Sequence, residues 1–102
     1  MNKAYILVFS NQFGVREDVQ RYLDQWSEIL NWRSDFPNAI FLISEMDADD
    51  IASLLREFSH DKGRFFVVEI GSNKQGWLPK GAWEFLRKKP GPPNDPFGGK
   101  VR

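Results

Sequence analysis

Residues 30–43 read Leu30-Asn31-Trp32-Arg33-Ser34-Asp35-Phe36-Pro37-Asn38-Ala39-Ile40-Phe41-Leu42-Ile43. The first half alternates: Leu30, Trp32, Ser34 and Phe36 are separated by Asn31, Arg33 and Asp35. Period two with one polar side reads as a half-exposed strand at a sheet edge. Pro37-Asn38 is a turn. Residues 39–43 are apolar throughout, the pattern of a strand covered on both faces. So short a connection makes the pair an antiparallel hairpin.

Upstream, Val15, Val19, Tyr22, Leu23 and Trp26 fall on one stripe at the helical period, which predicts a helix over 15–26. Before it, Ala4-Tyr5-Ile6-Leu7-Val8-Phe9 is another continuous apolar run and predicts a second doubly covered strand. Downstream, Asp47 is placed as a helix N-cap with Asp50 three residues on. Ile51, Leu54, Leu55 and Phe58 then predict a helix over 48–59 that ends near Ser59-His60, before Gly63. Residues 65–70, Phe-Phe-Val-Val-Glu-Ile, are a fourth strand. A glycine-bounded loop follows at 71–76. Trp77-Leu78 is expected as a short strand, and Pro79 opens a last short helix carrying Trp83 and Leu86.

The order β-α-β-β-α-β predicts an α+β, ferredoxin-like split βαβ fold. That is a four-stranded antiparallel sheet with two helices on one face, plus a short C-terminal appendage. The first and third strands are then central. Ile6, Val8 and Ile40 are expected to be buried against Val19, Leu23, Ile51 and Leu55. Residues 1–89 form the domain. Residues 90–102 are rich in Pro and Gly and are expected to be a flexible tail. Helices on one face leave the other apolar face uncovered. A second copy is the expected cover, making a homodimer; a C-terminal segment folded back is the alternative.

Composition sets the outer limits. At 102 residues there is room for one core, and 41% hydrophobic with 15% aromatic content excludes global disorder. Cysteine is absent, which excludes disulfides, thiolate metal sites and cysteine nucleophiles. The apolar run at 4–9 is too short for a signal sequence or a membrane span, so a cytoplasmic protein with no membrane partner is expected. Net charge is zero but uneven. Residues 1–61 carry five Lys/Arg against eleven Asp/Glu, a charge of −6; residues 62–102 carry nine against three, a charge of +6.

Several residues carry a resemblance. Ile6-Leu7-Val8 runs into a polar turn, and Met46-Asp47-Ala48 opens the second helix, which contains Leu54-Leu55. Residues 65–70 lead to Gly76-Trp77-Leu78-Pro79 and then Ala82-Trp83-Glu84-Phe85-Leu86. Over roughly residues 3–88 this resembles the small SinR-like proteins of bacteria and phages. Their superfamily includes the second CRISPR-associated adaptation protein, VapD-type ribonucleases and the GhoS-type antitoxin ribonuclease. The resemblance implies a dimer associated with RNA or DNA. It also implies that nuclease-active members carry an Asp at the end of the first strand, where two copies hold a divalent metal. The matching position here is Asn11, which brings no charge for Mg²⁺ and cannot act as a base. No metal site and no cofactor are therefore expected, and Mg²⁺ enters only if the protein is an active nuclease. In that case Ser10 and Asn11 are the catalytic candidates, with Glu45 or Glu69 as outside carboxylates.

Other residues are weighed on their chemistry. His60, the sole histidine, suits a helix C-terminus, where a cation meets the dipole. Glu45, Asp47, Asp49 and Asp50 lack calcium-loop spacing. Residues 71–76 follow a strand as phosphate loops do, but lack Gly-Lys-Ser/Thr. The best nucleic-acid signal is Lys80 with Arg87-Lys88-Lys89, and then Lys100 and Arg102. Trp77 and Trp83 lie nearby as stacking surfaces. Pro92, Pro93, Pro96 and Phe97 offer an extended ligand for a protein partner. The expectation is a dimeric, nucleic-acid-associated protein without metal-dependent cleavage. The alternatives are a toxin–antitoxin endoribonuclease and a phage or bacterial protein-interaction module.

Overall fold

The computed structural model describes residues 1–92. Its elements are β1 (Lys3–Phe9), α1 (Arg16–Asp24), β2 (Ile29–Phe36), β3 (Ala39–Ser44), α2 (Ala48–Ser59), β4 (Phe65–Glu69) and α3 (Lys80–Lys88). The strands form one antiparallel sheet in the order β2-β3-β1-β4. The class is α+β, and the two uninterrupted apolar runs, β1 and β3, are the central strands. The alternating segment, β2, is at an edge.

The first face is closed by α1 and α2. Tyr5, Leu7, Phe9, Trp32, Ile40 and Leu42 pack against Val19 and Leu23 of α1 and Ile51, Leu54 and Leu55 of α2. Each fully buried side chain of this size stabilises the fold by about 1.5–3 kcal/mol. The tyrosine hydroxyls inside the layer are matched. The Tyr5 hydroxyl donates to the Met46 carbonyl at 2.6 Å, and the Tyr22 hydroxyl to the Leu54 carbonyl at 2.7 Å. Burial pushes both phenol pKa values up. The Trp32 indole N–H donates to Asp24 at 2.7 Å and ties the end of α1 to β2.

Three expectations about this layer need correction. Ile6 and Val8 do not face the helices; Tyr5, Leu7 and Phe9 do, while Val8 is exposed on the far side. A strand that is apolar at every position carries no alternation from which to read its phase. Val15 is not in the helical stripe. It is the N-cap, in extended conformation and exposed, and α1 begins one residue later. Trp26 lies beyond the last helical residue and is only partly buried, packing edge-on against Tyr22.

Asp47 is the N-cap of α2 by position, but its carboxylate makes no cap bond. It accepts from the Lys3 ammonium at 2.8 Å instead, and this pairing lowers the Asp47 pKa and raises that of Lys3. At the other end, His60 and Asp61 take left-handed conformations, followed by Gly63 at φ +70. A side chain at Gly63 would meet the Phe13 backbone nitrogen at 2.2 Å, so only glycine fits this turn.

The second face is closed only in part. α3 folds back across it, placing Phe85 and Leu86 on Ala4, Phe41 and Ile43. The C-terminal segment therefore does supply a layer. It stops short of the opposite end, where Val8, Phe36, Phe66 and Val68 stay exposed, Phe66 at 63%. The register joins them, since Val8 is opposite both Ala39 and Phe66, and Phe36 is opposite Ala39.

The polar row of β2 behaves differently from its sequence pattern. Asn31 is buried and donates to the Gly91 carbonyl at 3.1 Å, and the Arg33–Asp35 pair, at 2.8 Å, is largely covered. Two irregularities in the β2–β3 register displace the alternation, and α3 lies over the result. Trp77-Leu78 is not a strand: residues 73–79 carry no regular structure. Among the described residues no helix is long and apolar enough to cross a membrane.

Candidate nucleic-acid interface

α3 positions the basic residues. Pro79 caps its start with the φ of −58 that proline imposes. Ala82, Phe85 and Leu86, at i, i+3 and i+4, bury one side of the helix and fix its rotation. Arg87 and Lys88 lie in the last turn, where the dipole favours cations. Lys89 follows in a left-handed conformation, donating its N–H to the Phe85 carbonyl at 3.0 Å. Its own carbonyl accepts from the Asn2 side chain at 3.0 Å, so this end of the helix is anchored to the start of the chain.

This geometry separates the four cations expected to act together. Arg87 and Lys89 line one cleft of about 480 Å³, between the loop after β4 and the second half of α3. Lys88 lines a smaller cleft of about 180 Å³ beside Arg33 and approaches Glu84 at 4.0 Å. Lys80 is exposed at the far end of α3, eight residues and about 12 Å along the helix axis from Lys88, and lines neither cleft. The cation that completes the larger cleft is Lys74, with Ser72 and Glu69 beside it and Trp83 as an aromatic wall. The glycine-bounded loop was the sequence signal for Lys74, but its pairing with Arg87 needed α3 to fold back. Among the described residues Lys74, Arg87 and Lys89 have no ion-pair partner. Three unpaired cations and one carboxylate give the cleft a net positive field.

A larger cleft, about 680 Å³, lies between α2 and β4. It sets Arg56 and Arg64 against Asp49 and Asp61, so its charges offset one another. Lys100, Arg102, Pro93, Pro96 and Phe97 lie outside the described residues.

At the end of β1, Ser10 and Asn11 are held in structural bonds. The Ser10 hydroxyl accepts from the Arg64 backbone N–H at 2.9 Å, and its own N–H donates to the Arg64 carbonyl at 2.9 Å. Asn11 accepts from the Asn38 side chain at 3.0 Å, and the same Asn38 nitrogen donates to the Phe9 carbonyl at 3.2 Å. These contacts stitch the end of β1 to β4 and to the β2–β3 turn. Glu69 does not join them. It is opposite Tyr5, four residues and about 13 Å of strand before β1 ends at Phe9, while Asn11 lies in the turn beyond. Glu45 is exposed and approaches the chain's amino terminus at 3.5 Å. Among the described residues no three His, Asp or Glu side chains cluster closely enough to hold a metal ion.

No family model, curated protein or solved structure matches this chain.

Proposed function

We propose that this chain is a small dimeric protein of ferredoxin-like βαββαβ plan, SinR-like in kind, that associates with nucleic acid without metal-dependent cleavage. The observation that carries the reading is the convergence of Lys74, Arg87 and Lys89 on one cleft beside Trp83. Cations neutralise phosphates whatever the base sequence, and an indole face accepts any base. The element order and the position of β1 and β3 in the sheet support the ferredoxin-like plan.

The dimeric part rests on the uncovered end of the second face. Val8, Phe36, Phe66 and Val68 form a contiguous apolar strip, and a second copy is the occupant that suits it. The acidic 1–61 segment and the basic 62–102 segment complement one another across such a pair. The endoribonuclease alternative is weaker. A nucleophilic Ser10 would need a base, and its hydroxyl is engaged with the Arg64 N–H.

The test is incubation of the purified protein with labelled RNA and labelled duplex DNA, each with Mg²⁺ and with EDTA. Salt-sensitive binding and no new products are expected. Mg²⁺-dependent products abolished by Asn11→Ala would overturn the binder reading. Cleavage insensitive to EDTA would support the endoribonuclease. Neither cleavage nor binding would leave the protein-interaction module.

A further inference from the structure

We propose that the cleft between the β4–α3 loop and α3 takes single-stranded rather than duplex nucleic acid, with one unpaired base against Trp83 and the adjoining phosphate among Lys74, Arg87 and Lys89. This inference rests on the reading of the protein as nucleic-acid-associated and adds the class of strand.

Four observations carry it. First, the cleft is concave. Its volume of about 480 Å³ is in the range of sites that enclose one small ligand, not that of a surface cradling a double helix. A duplex keeps its bases stacked and paired, and offers such a cleft only its backbone. An unpaired base can turn in.

Second, Trp83 is a rigid wall. It is half-buried on α3, packed at the margin of the cluster formed by Phe85, Leu86, Phe41 and Ile43. One part of the indole is fixed by the core and another lines the cleft, so stacking a base costs little ordering of the protein. Third, the cations stand on two sides. Lys74 comes from the loop, with its ammonium against the Gly71 carbonyl at 3.1 Å, while Arg87 and Lys89 come from the end of α3. A phosphate between loop and helix meets all three. Glu69 is the one carboxylate in the lining. It is opposite Tyr5, whose side chain faces α1 and α2, so it shares that face of the sheet and does not stand among the cations.

Fourth, Trp77 lies three residues beyond Lys74 on the same loop and is 99% exposed. An indole held entirely in water has its faces open to a base. A strand leaving the cleft presents its next base to that face.

The test uses the full chain and fluorescence anisotropy. The probes are a labelled 12-nucleotide RNA, the DNA of the same sequence, and the duplex form of each, over a salt series. The single strands are expected to bind at least tenfold more tightly than the duplexes; the RNA and DNA arms show whether the sugar matters. Trp83→Ala is expected to lose about tenfold on single strands and Trp83→Phe much less, while duplex affinity moves little. Lys74→Ala is expected to flatten the single-strand salt dependence by about 0.7 of a log unit per log unit of salt. Trp77→Ala, at a fully exposed site, keeps the test decisive should Trp83→Ala fail to fold; a several-fold loss is expected. Equal affinity for duplex and single strand overturns the inference and leaves the nucleic-acid reading standing. So does unchanged single-strand affinity in Trp77→Ala and folded Trp83→Ala. Absence of binding to any probe at low salt overturns both. If Trp77→Ala lowers the mass in light scattering and leaves affinity unchanged, Trp77 belongs to the contact with a second copy and not to stacking.

Discussion

The two faces of the sheet are built from the same central strands and differ in finish. On the first face, α1 and α2 close an apolar layer, and the Tyr5 and Tyr22 hydroxyls and the Trp32 indole are bonded within the fold. On the second, a single helix covers one end, a buried asparagine and an Arg–Asp pair occupy the β2 side, and Val8 and Phe66 stay in water. Stability concentrates on the first face. The exposed apolar strip, the cationic cleft and the exposed Trp77 lie on the second or along its border. Two helices, of nine and twelve residues, lie on one side, and a single nine-residue helix on the other leaves part of that side uncovered.

The contrast can be broken most directly by mutation in each face. Trp32→Ala removes a fully buried indole and its bond to Asp24. It should cost about 3–5 kcal/mol in urea unfolding. Phe85→Ala strikes the partial cover. Phe85 is buried but borders the small cleft beside Arg33, where the site can relax, so about 3 kcal/mol is expected. This variant should also lose polynucleotide affinity, because the cleft depends on α3 staying in place. If Phe85→Ala unfolds the protein as readily as Trp32→Ala, the two faces are not different in the way described.

Phe66→Glu with Val68→Glu sharpens the comparison from the other side. Both residues are exposed, so unfolding should shift by no more than about 0.5 kcal/mol per site. The proposed dimer should nonetheless fall to the mass of one chain in light scattering, from about twice that mass for the parent protein. A double variant that keeps the larger mass would move the contact elsewhere.

The smallest effect is expected at the Lys3–Asp47 pair, which joins β1 to the start of α2 at the surface. Lys3 holds the Asp47 carboxyl below its ordinary value of 3.8. The pair's contribution is thus fully present above that value and is lost as pH falls through the lower, folded one. Asp47→Asn should leave unfolding at pH 7 almost unchanged, as exposed pairs usually do, and should flatten the acid limb below about pH 4. A large effect at neutral pH would mean that the pair does more than join two surface elements.

Periodicity alone located the elements, because side-chain spacing reports on local geometry. Residues 48–59 are helical as the spacing of Ile51, Leu54 and Leu55 requires, and residues 39–44 form a central strand as the unbroken apolar run at 39–43 requires. The composition of the last third likewise placed the cations near the C-terminal helix. Which way β1 faces was not in its sequence. Six apolar residues in a row suit either phase, and only packing against α1 and α2 sets Tyr5, Leu7 and Phe9 inward. Nor was the burial of Asn31, since an alternating polar row looks solvent-facing until a distant segment, here at Gly91, meets it. The cleft had the same origin. Lys74 and Arg87 are thirteen residues apart, on a loop and on a helix, and no local rule connects them. They meet because burial of Phe85 and Leu86 draws α3 back over the sheet, a long-range decision made by the free energy of covering apolar surface.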